Sequence, residues 1–200
     1  PVYDGGMILE GGSIDVNGTG ACLTTESCLL NPNRNPNMSR KQVEQRLRDF
    51  LGVRDIFWLS RGTEGDDTDG HIDNLARFVA ERTVLAVVEN DRTSANYEPL
   101  RENLARLQQI RIGGQPLEIV QLPTTAKMER EDMTLPTSYA NFYIANEVVL
   151  MPTYNDPADE LATTAVRRAF PNRRVISIDC REVIWGLGAF HCLTQQQPMA

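Results

Sequence analysis

Residues 7–27 read MILEGGSIDVNGTGACLTTES. Two apolar stretches flank Asn17-Gly18, a dipeptide that favours a tight hairpin, so the segment predicts two short strands. Residues 38–52, MSRKQVEQRLRDFLG, carry the signals of a helix. Ser39 stands at the N-cap with Gln42 three residues on, which makes a capping box, and Gly52 is a stop. IFWLS (56–60) then predicts a third strand. The same order recurs twice. HIDNLARFVAERTVLAVVEN (71–90) predicts two strands, residues 94–110 a helix, and LEIVQLP (117–123) a strand. YANFYIANEVVLMP (139–152) predicts a hairpin turning at Asn146-Glu147, residues 157–170 a helix, and RVISID (174–179) a strand. GAFHCLTQQ (188–196) predicts the opening strand of a fourth unit.

One strand–strand–helix–strand unit cannot bury its sheet alone, so several must pack together. Packing around an axis would bring equivalent positions of the units to one central place. The expected first strands carry Glu10, His71 with Asp73, Asn141, and Cys192. Each alone reads as an isolated polar residue near a strand end. Together, at corresponding positions, they read as a site.

Composition limits what such a site does. Of 200 residues, 41% are apolar and 24% charged, ordinary for a globular chain, and the net charge is −7. An acidic chain is a poor partner for nucleic acid, and no apolar run approaches a membrane span. The cysteines are Cys22, Cys28, Cys180 and Cys192, with no C-x-x-C pair. With two histidines there is no zinc-ligand spacing, and free thiols point to a reducing, cytoplasmic setting.

His71 and Asp73, two residues apart on a strand, would face the same side. Asp66, Asp67 and Asp69 surround them with negative charge, which suits a histidine acting as general acid. Asp69-Gly70 reads as a bend. Glu10 interrupts an apolar run before Gly11-Gly12 and needs a partner, a cation or His71. Arg34, Arg61 and Arg77 read most simply as surface or turn residues. Cys22, Cys28 and Cys180 read as core fillers; Cys192, beside His191 and after Gly186 and Gly188, is the candidate nucleophile. A thiol, an imidazole and several carboxylates suit a guanidinium, which is planar, always charged and bound in a fork by carboxylates.

LEGGSI (9–14), NPNRNP (31–36), TDGHIDN (68–74), NFYIAN (141–146) and HCLTQQQP (191–198) occur in this order. Over essentially the whole chain the sequence resembles the agmatine deiminase family, one of the guanidine-modifying enzymes with the bacterial peptidylarginine deiminases. The resemblance implies an α/β fold, a pseudo-fivefold α/β propeller of ββαβ modules with about three modules in this chain. Residues 1–200 would then be one domain, the C-terminal part of a larger deiminase domain. It implies Cys192 as nucleophile, His71 as general acid and base, Glu10 as the carboxylate that orients the histidine, and Asp73 as a guanidinium-binding carboxylate. Asp67, Asn141 and Gly188 are expected to line the substrate. The family's second guanidinium-binding aspartate precedes LEGGS and has no counterpart here. Two departures stand out: Ala189-Phe190 lies where agmatine deiminases read Asn-Ile, with one glycine kept, and Asp67 where they have glutamate.

The implied reaction converts agmatine, or a close guanidino compound, to N-carbamoylputrescine and ammonia through a covalent thiouronium on cysteine. Alternatives are a peptidylarginine or arginine deiminase, an amidino transfer with the same residues, and a non-catalytic guanidine-binding fragment. Neither metal nor cofactor is implied. Expected partners are a small cationic guanidino substrate, an upstream segment of the same protein, and further copies in a homo-oligomer.

Overall fold

The computed structural model describes residues 2–197. Pro198, which closes the HCLTQQQP motif, lies outside them. The first unit contains β1 (Ile14–Val16), β2 (Ala21–Thr25), the single-turn helix α1 (Glu26–Leu29), α2 (Arg40–Leu51) and β3 (Asp55–Leu59). The second contains β4 (Ala76–Phe78), β5 (Thr83–Val88), α3 (Tyr97–Gln109), a small hairpin of β6 (Arg111–Ile112) and β7 (Gln115–Pro116), and β8 (Glu118–Pro123). Another small hairpin, β9 (Glu129–Arg130) and β10 (Met133–Thr134), leads to the third. That unit contains β11 (Tyr143–Ile144), β12 (Val148–Thr153), α4 (Asp159–Ala169) and β13 (Arg174–Asp179).

Each unit builds the same mixed sheet. β1 runs antiparallel to β2, with Ile14 opposite Thr24, and β2 runs parallel to β3, with Ala21 opposite Asp55. β4–β5–β8 and β11–β12–β13 repeat that order. A parallel pair needs a long crossover, and the helix between the second and last strand supplies it. The middle strand is covered on both faces and is correspondingly apolar: all of β2 is buried, and β5 from Val84 to Val88. The helices follow local rules. Ser39 and Gln42 form the expected capping box, and Gly52 ends α2 in a left-handed turn with φ 67°. Val43 and Leu47, one turn apart, are the buried side of α2 and pack with Cys22, Cys28 and Val53 into a small core. A larger core runs through all three units, from Leu23 and Leu59 to Leu85, Leu107, Phe142 and Met151. No described helix is long and apolar enough to cross a membrane.

Four expected strand segments lie outside the strands, one of them residues 139–142, where Asn141 precedes β11. Residues 7–9 are not in a strand, and Gly11–Ser13 form a 3-10 turn in which Ser13 donates from N and Oγ to the Glu10 carbonyl at 3.0 and 2.6 Å. His71 caps a second 3-10 turn, Ile72–Asn74, so the two-residue spacing of His71 and Asp73 is not strand alternation. Residues 188–196 form no strand. There Leu193 N reaches the Ala189 carbonyl at 3.2 Å, and Thr194 Oγ1 the Phe190 carbonyl at 2.7 Å. Local turns and tertiary partners, Asn35 for Ile8 and Asn141 for His191, supply hydrogen bonds to these backbones in place of a ladder. The polar residues therefore stand just ahead of the first strands, at the ends of the sheets. The three main sheets stay separate among the described residues, and none closes on itself.

Candidate active site

The segments ahead of β1 and β4, Ile144 on β11 and the segment after β13 meet in one cleft of about 850 Å³. Glu10, Asp67, His71, Asp73 and Cys192 line it. Asn141 is buried behind Cys192.

Glycine permits the approach. A Cβ on Gly12 would lie 2.5 Å from His71 Nδ1 and 2.7 Å from Asp73 Oδ2. A Cβ on Gly188 would lie 2.6 Å from that of Cys192. Neither position has room for a side chain.

Cys192 is held from one side by Asn141. Asn141 Nδ2 donates to Sγ at 3.1 Å, and its Oδ1 accepts from the backbone N of His191 and Cys192 at 3.0 and 3.3 Å. The same Nδ2 reaches Asn74 Oδ1 at 2.9 Å, tying the thiol to the turn that carries Asp73. Sγ lies 3.6 Å from Asp73 Oδ2. Cys192 as a residue is exposed, but desolvation by the groups packed around its sulfur, then the Asp73 charge, push the thiol up to about 12 and keep it protonated. A bound cation works in the opposite direction.

Asp73 is fully buried, and its Oδ2 is 2.7 Å from His191 Nδ1. Its Oδ1 is buried with no hydrogen-bond partner. An ionised carboxylate left half satisfied is costly, and an N–H donor from a ligand would complete it. His71 Nε2 faces Glu10 Oε1 at 3.7 Å, longer than a hydrogen bond. Glu10 is engaged chiefly by Arg34, whose Nε lies 2.9 and 2.8 Å from its two oxygens. That hydrogen bond holds the Glu10 carboxyl below its ordinary value.

Arg34 corrects the surface reading. Its side chain is 9% exposed, and it also donates to Asp69 Oδ2 at 2.7 Å and the Thr68 carbonyl at 2.8 Å. Asn35 exchanges hydrogen bonds with the Ile8 backbone at 2.9 and 3.0 Å. The NPNRNP segment thus clamps LEGGSI to TDGHIDN. Arg77 corrects it as well. It is 3% exposed, with Nε 2.6 Å from Asp15 Oδ1 and Nη1 3.1 Å from the Phe142 carbonyl, so it joins all three units. Arg61 is exposed, as expected.

The fold therefore brings Glu10, His71, Asp73, Asn141, Gly188 and Cys192 together, with Asp67 exposed at the rim. Sequence reasoning missed two members, His191 and Arg34. Adjacency to Cys192 was the available signal for the first. Membership of NPNRNP was the signal for the second.

A sequence profile described as Porphyromonas-type peptidyl-arginine deiminase matches residues 1–198. The agmatine deiminase of Medicago truncatula is 38% identical over 220 residues, covering 99% of this chain and 59% of the plant protein. A solved agmatine deiminase of Enterococcus faecalis is similar with a TM-score of 0.92 at 36% identity, over 98% of this chain and 58% of its own. A substrate-bound agmatine deiminase from C. jejuni reaches 0.87 at 36% identity, over 92% and 54%. This chain spans less than two thirds of the length of each of these relatives.

Proposed function

The chain belongs to the Porphyromonas-type peptidyl-arginine deiminase family, and from that premise we propose that it carries the nucleophile and acid–base centre of a hydrolase acting on agmatine. Its three units would be three modules of a pseudo-fivefold α/β propeller, the C-terminal part of a larger deiminase domain working in the cytoplasm. The observation that carries the reading is the convergence on one cleft of Cys192, His71 and the half-satisfied Asp73.

The guanidinium enters with N–H donors toward Asp73 Oδ1, replacing the missing hydrogen bond. Its charge offsets that of Asp73, and the Cys192 thiol ionises, giving its proton to solvent, while His71 enters the reaction as the imidazolium. The thiolate attacks the central carbon. His71 gives a proton to one departing nitrogen, and ammonia leaves from the tetrahedral adduct. The remaining S-alkylthiouronium is covalent on Cys192. His71, now neutral, takes a proton from water as that water attacks the same carbon. Collapse of the second adduct breaks the carbon–sulfur bond, the hydroxyl proton passing to sulfur to restore the Cys192 thiol, and yields N-carbamoylputrescine. Splitting one hard displacement in two is what a covalent intermediate achieves. Glu10, anchored by Arg34, steadies the imidazole, and Asp67 at the rim is placed for the distal ammonium. Among the described residues the arginine on the cleft wall, Arg77, is already bound to Asp15. No α-carboxylate partner is thus offered there, which favours agmatine over arginine.

The test is ammonia release from agmatine. Cys192→Ser is expected to abolish it while leaving the fold intact; full activity in that variant would end the proposal.

A further inference from the structure

Cys28 plays no part in this chemistry. It is a free thiol, fully buried on α1. The fold nevertheless sets it beside two residues of the site. One donor atom each of Glu10, Cys28 and His71 lie within 4.8 Å of one another. They come from three segments: the turn before β1, α1, and the turn before β4. No local spacing announces the group.

The imidazole supplies the second observation. His71 is 8% exposed, and its Nε2 is buried with no hydrogen-bond partner. It faces Glu10 Oε1 at 3.7 Å, while Nδ1 is the atom that a Cβ on Gly12 would meet. A buried ring nitrogen left open needs an explanation. Sulfur, imidazole nitrogen and carboxylate oxygen are together the donor set of Zn²⁺ and its softer congener Cd²⁺. In a tetrahedral zinc site such donors sit roughly 3.3–3.8 Å apart. Closing the group from its present spread asks for side-chain shifts on the order of 1 Å.

We propose that Glu10, Cys28 and His71 form a site for a soft divalent cation such as Zn²⁺ or Cd²⁺, whose binding switches off the active centre by occupying His71 Nε2. As the sulfur–metal bond forms, the Cys28 thiol releases its proton to solvent. Nε2 gives its lone pair with the ring proton on Nδ1, Glu10 binds through an oxygen, and water completes the shell. Arg34 opposes the metal, since its guanidinium holds both Glu10 oxygens. A carboxylate has about four acceptor directions and can serve both. That competition makes the cation a reversible inhibitor rather than a resident structural ion.

The binding claim stands on geometry alone, and only the inhibition rests on the function proposed above. The full-length protein is titrated with Cd²⁺, following the ultraviolet absorbance of a thiolate–metal bond, as wild type, Cys28→Ala and Cys192→Ser. Zn²⁺ inhibition of ammonia release from agmatine is measured for wild type and Cys28→Ala. The absorbance is expected to persist in Cys192→Ser and vanish in Cys28→Ala. Cys28→Ala should keep its basal activity and tolerate at least about tenfold more Zn²⁺, the minimum expected for losing a ligand. An absorbance that follows Cys192, or none in any variant, overturns the site. If Cys28→Ala fails to fold, Cys28→Ser carries the same comparison, because a hydroxyl is a poor ligand for a soft cation. Wild type that releases no ammonia yet shows the Cys28-dependent absorbance would sink the function and leave the site.

Discussion

Asn141 decides where the sulfur points. Its amide donates to Sγ and accepts from two backbone N–H groups. Asn141→Ala is expected to lower kcat for ammonia release by about a hundredfold, the effect of misplacing a reacting atom by about 1 Å. It should also cost about 1–3 kcal/mol for buried groups left unpaired, measured by denaturant unfolding. An unchanged kcat would remove Asn141 from the positioning of the thiol. Asp73 acts on the same sulfur through charge. The thiol of this exposed residue is pushed up to about 12 by desolvation around its sulfur first and Asp73 second, so Asp73→Asn lowers it without restoring an ordinary thiol. Alkylation of Cys192 in the absence of substrate should therefore be faster in Asp73→Asn than in wild type at the same mildly alkaline pH. Equal rates would mean that burial alone sets the thiol. Cys192, His71 and Asp73 were legible from residue type and motif. Arg34 and His191 were not, because their partners are remote: Arg34 meets Asp69 35 positions away, and His191 meets Asp73 118 away.

The hairpins, helices and parallel returning strands follow from alternation, capping and turn signals that lie within a few residues. The segments ahead of each first strand do not, since apolar alternation continues into them while tertiary hydrogen bonds bend the chain. Gly12 is where that bend has a consequence. Gly12→Ala would drive a methyl into His71 Nδ1 and Asp73 Oδ2. Activity should fall more steeply than stability, read as ammonia release against thermal unfolding, because the displaced groups belong to the cleft. The units are joined by another buried contact. Arg77 on β4 pairs with Asp15 on β1, whose carboxyl is pushed up by burial despite that partner, and it also caps the Phe142 carbonyl ahead of β11. Removing one member strands a buried charge. Arg77→Leu is expected to cost about 3–5 kcal/mol in denaturant unfolding. Adding Asp15→Leu should recover part of it; a double variant no more stable than the single would show that the carbonyl contacts dominate.

At the scale of the molecule, repetition was the readable feature, and the way the units meet was not. One apolar core runs through all three, but the contacts that shape the cleft depend on isolated polar residues such as Arg77 and Asn141, which carry no periodic signal. The three-unit body has one further collective property, set by buried acids that stay protonated. Cys22 and Cys28, in the small core beneath α2, are each raised by burial from an ordinary 9.0 to about 12. The Tyr139 and Tyr154 phenols are raised by burial too. Once unfolded, the thiols give up their protons near 9, whereas in the folded chain they keep them. Their contribution is therefore fully present below about 9 and is lost as pH rises toward about 12. The unfolding free energy should fall across that range, with each thiol adding at most about 1.4 kcal/mol per pH unit. Cys22→Ala is expected to flatten the decline measured by urea unfolding between pH 8 and roughly 10.5, even if it lowers stability at neutral pH. A curve as steep in the variant as in wild type would assign the loss to the tyrosines or to net charge instead. The two explanations separate in salt, because the self-repulsion of a chain already carrying −7 is screened and the ionisation of a buried thiol is far less so.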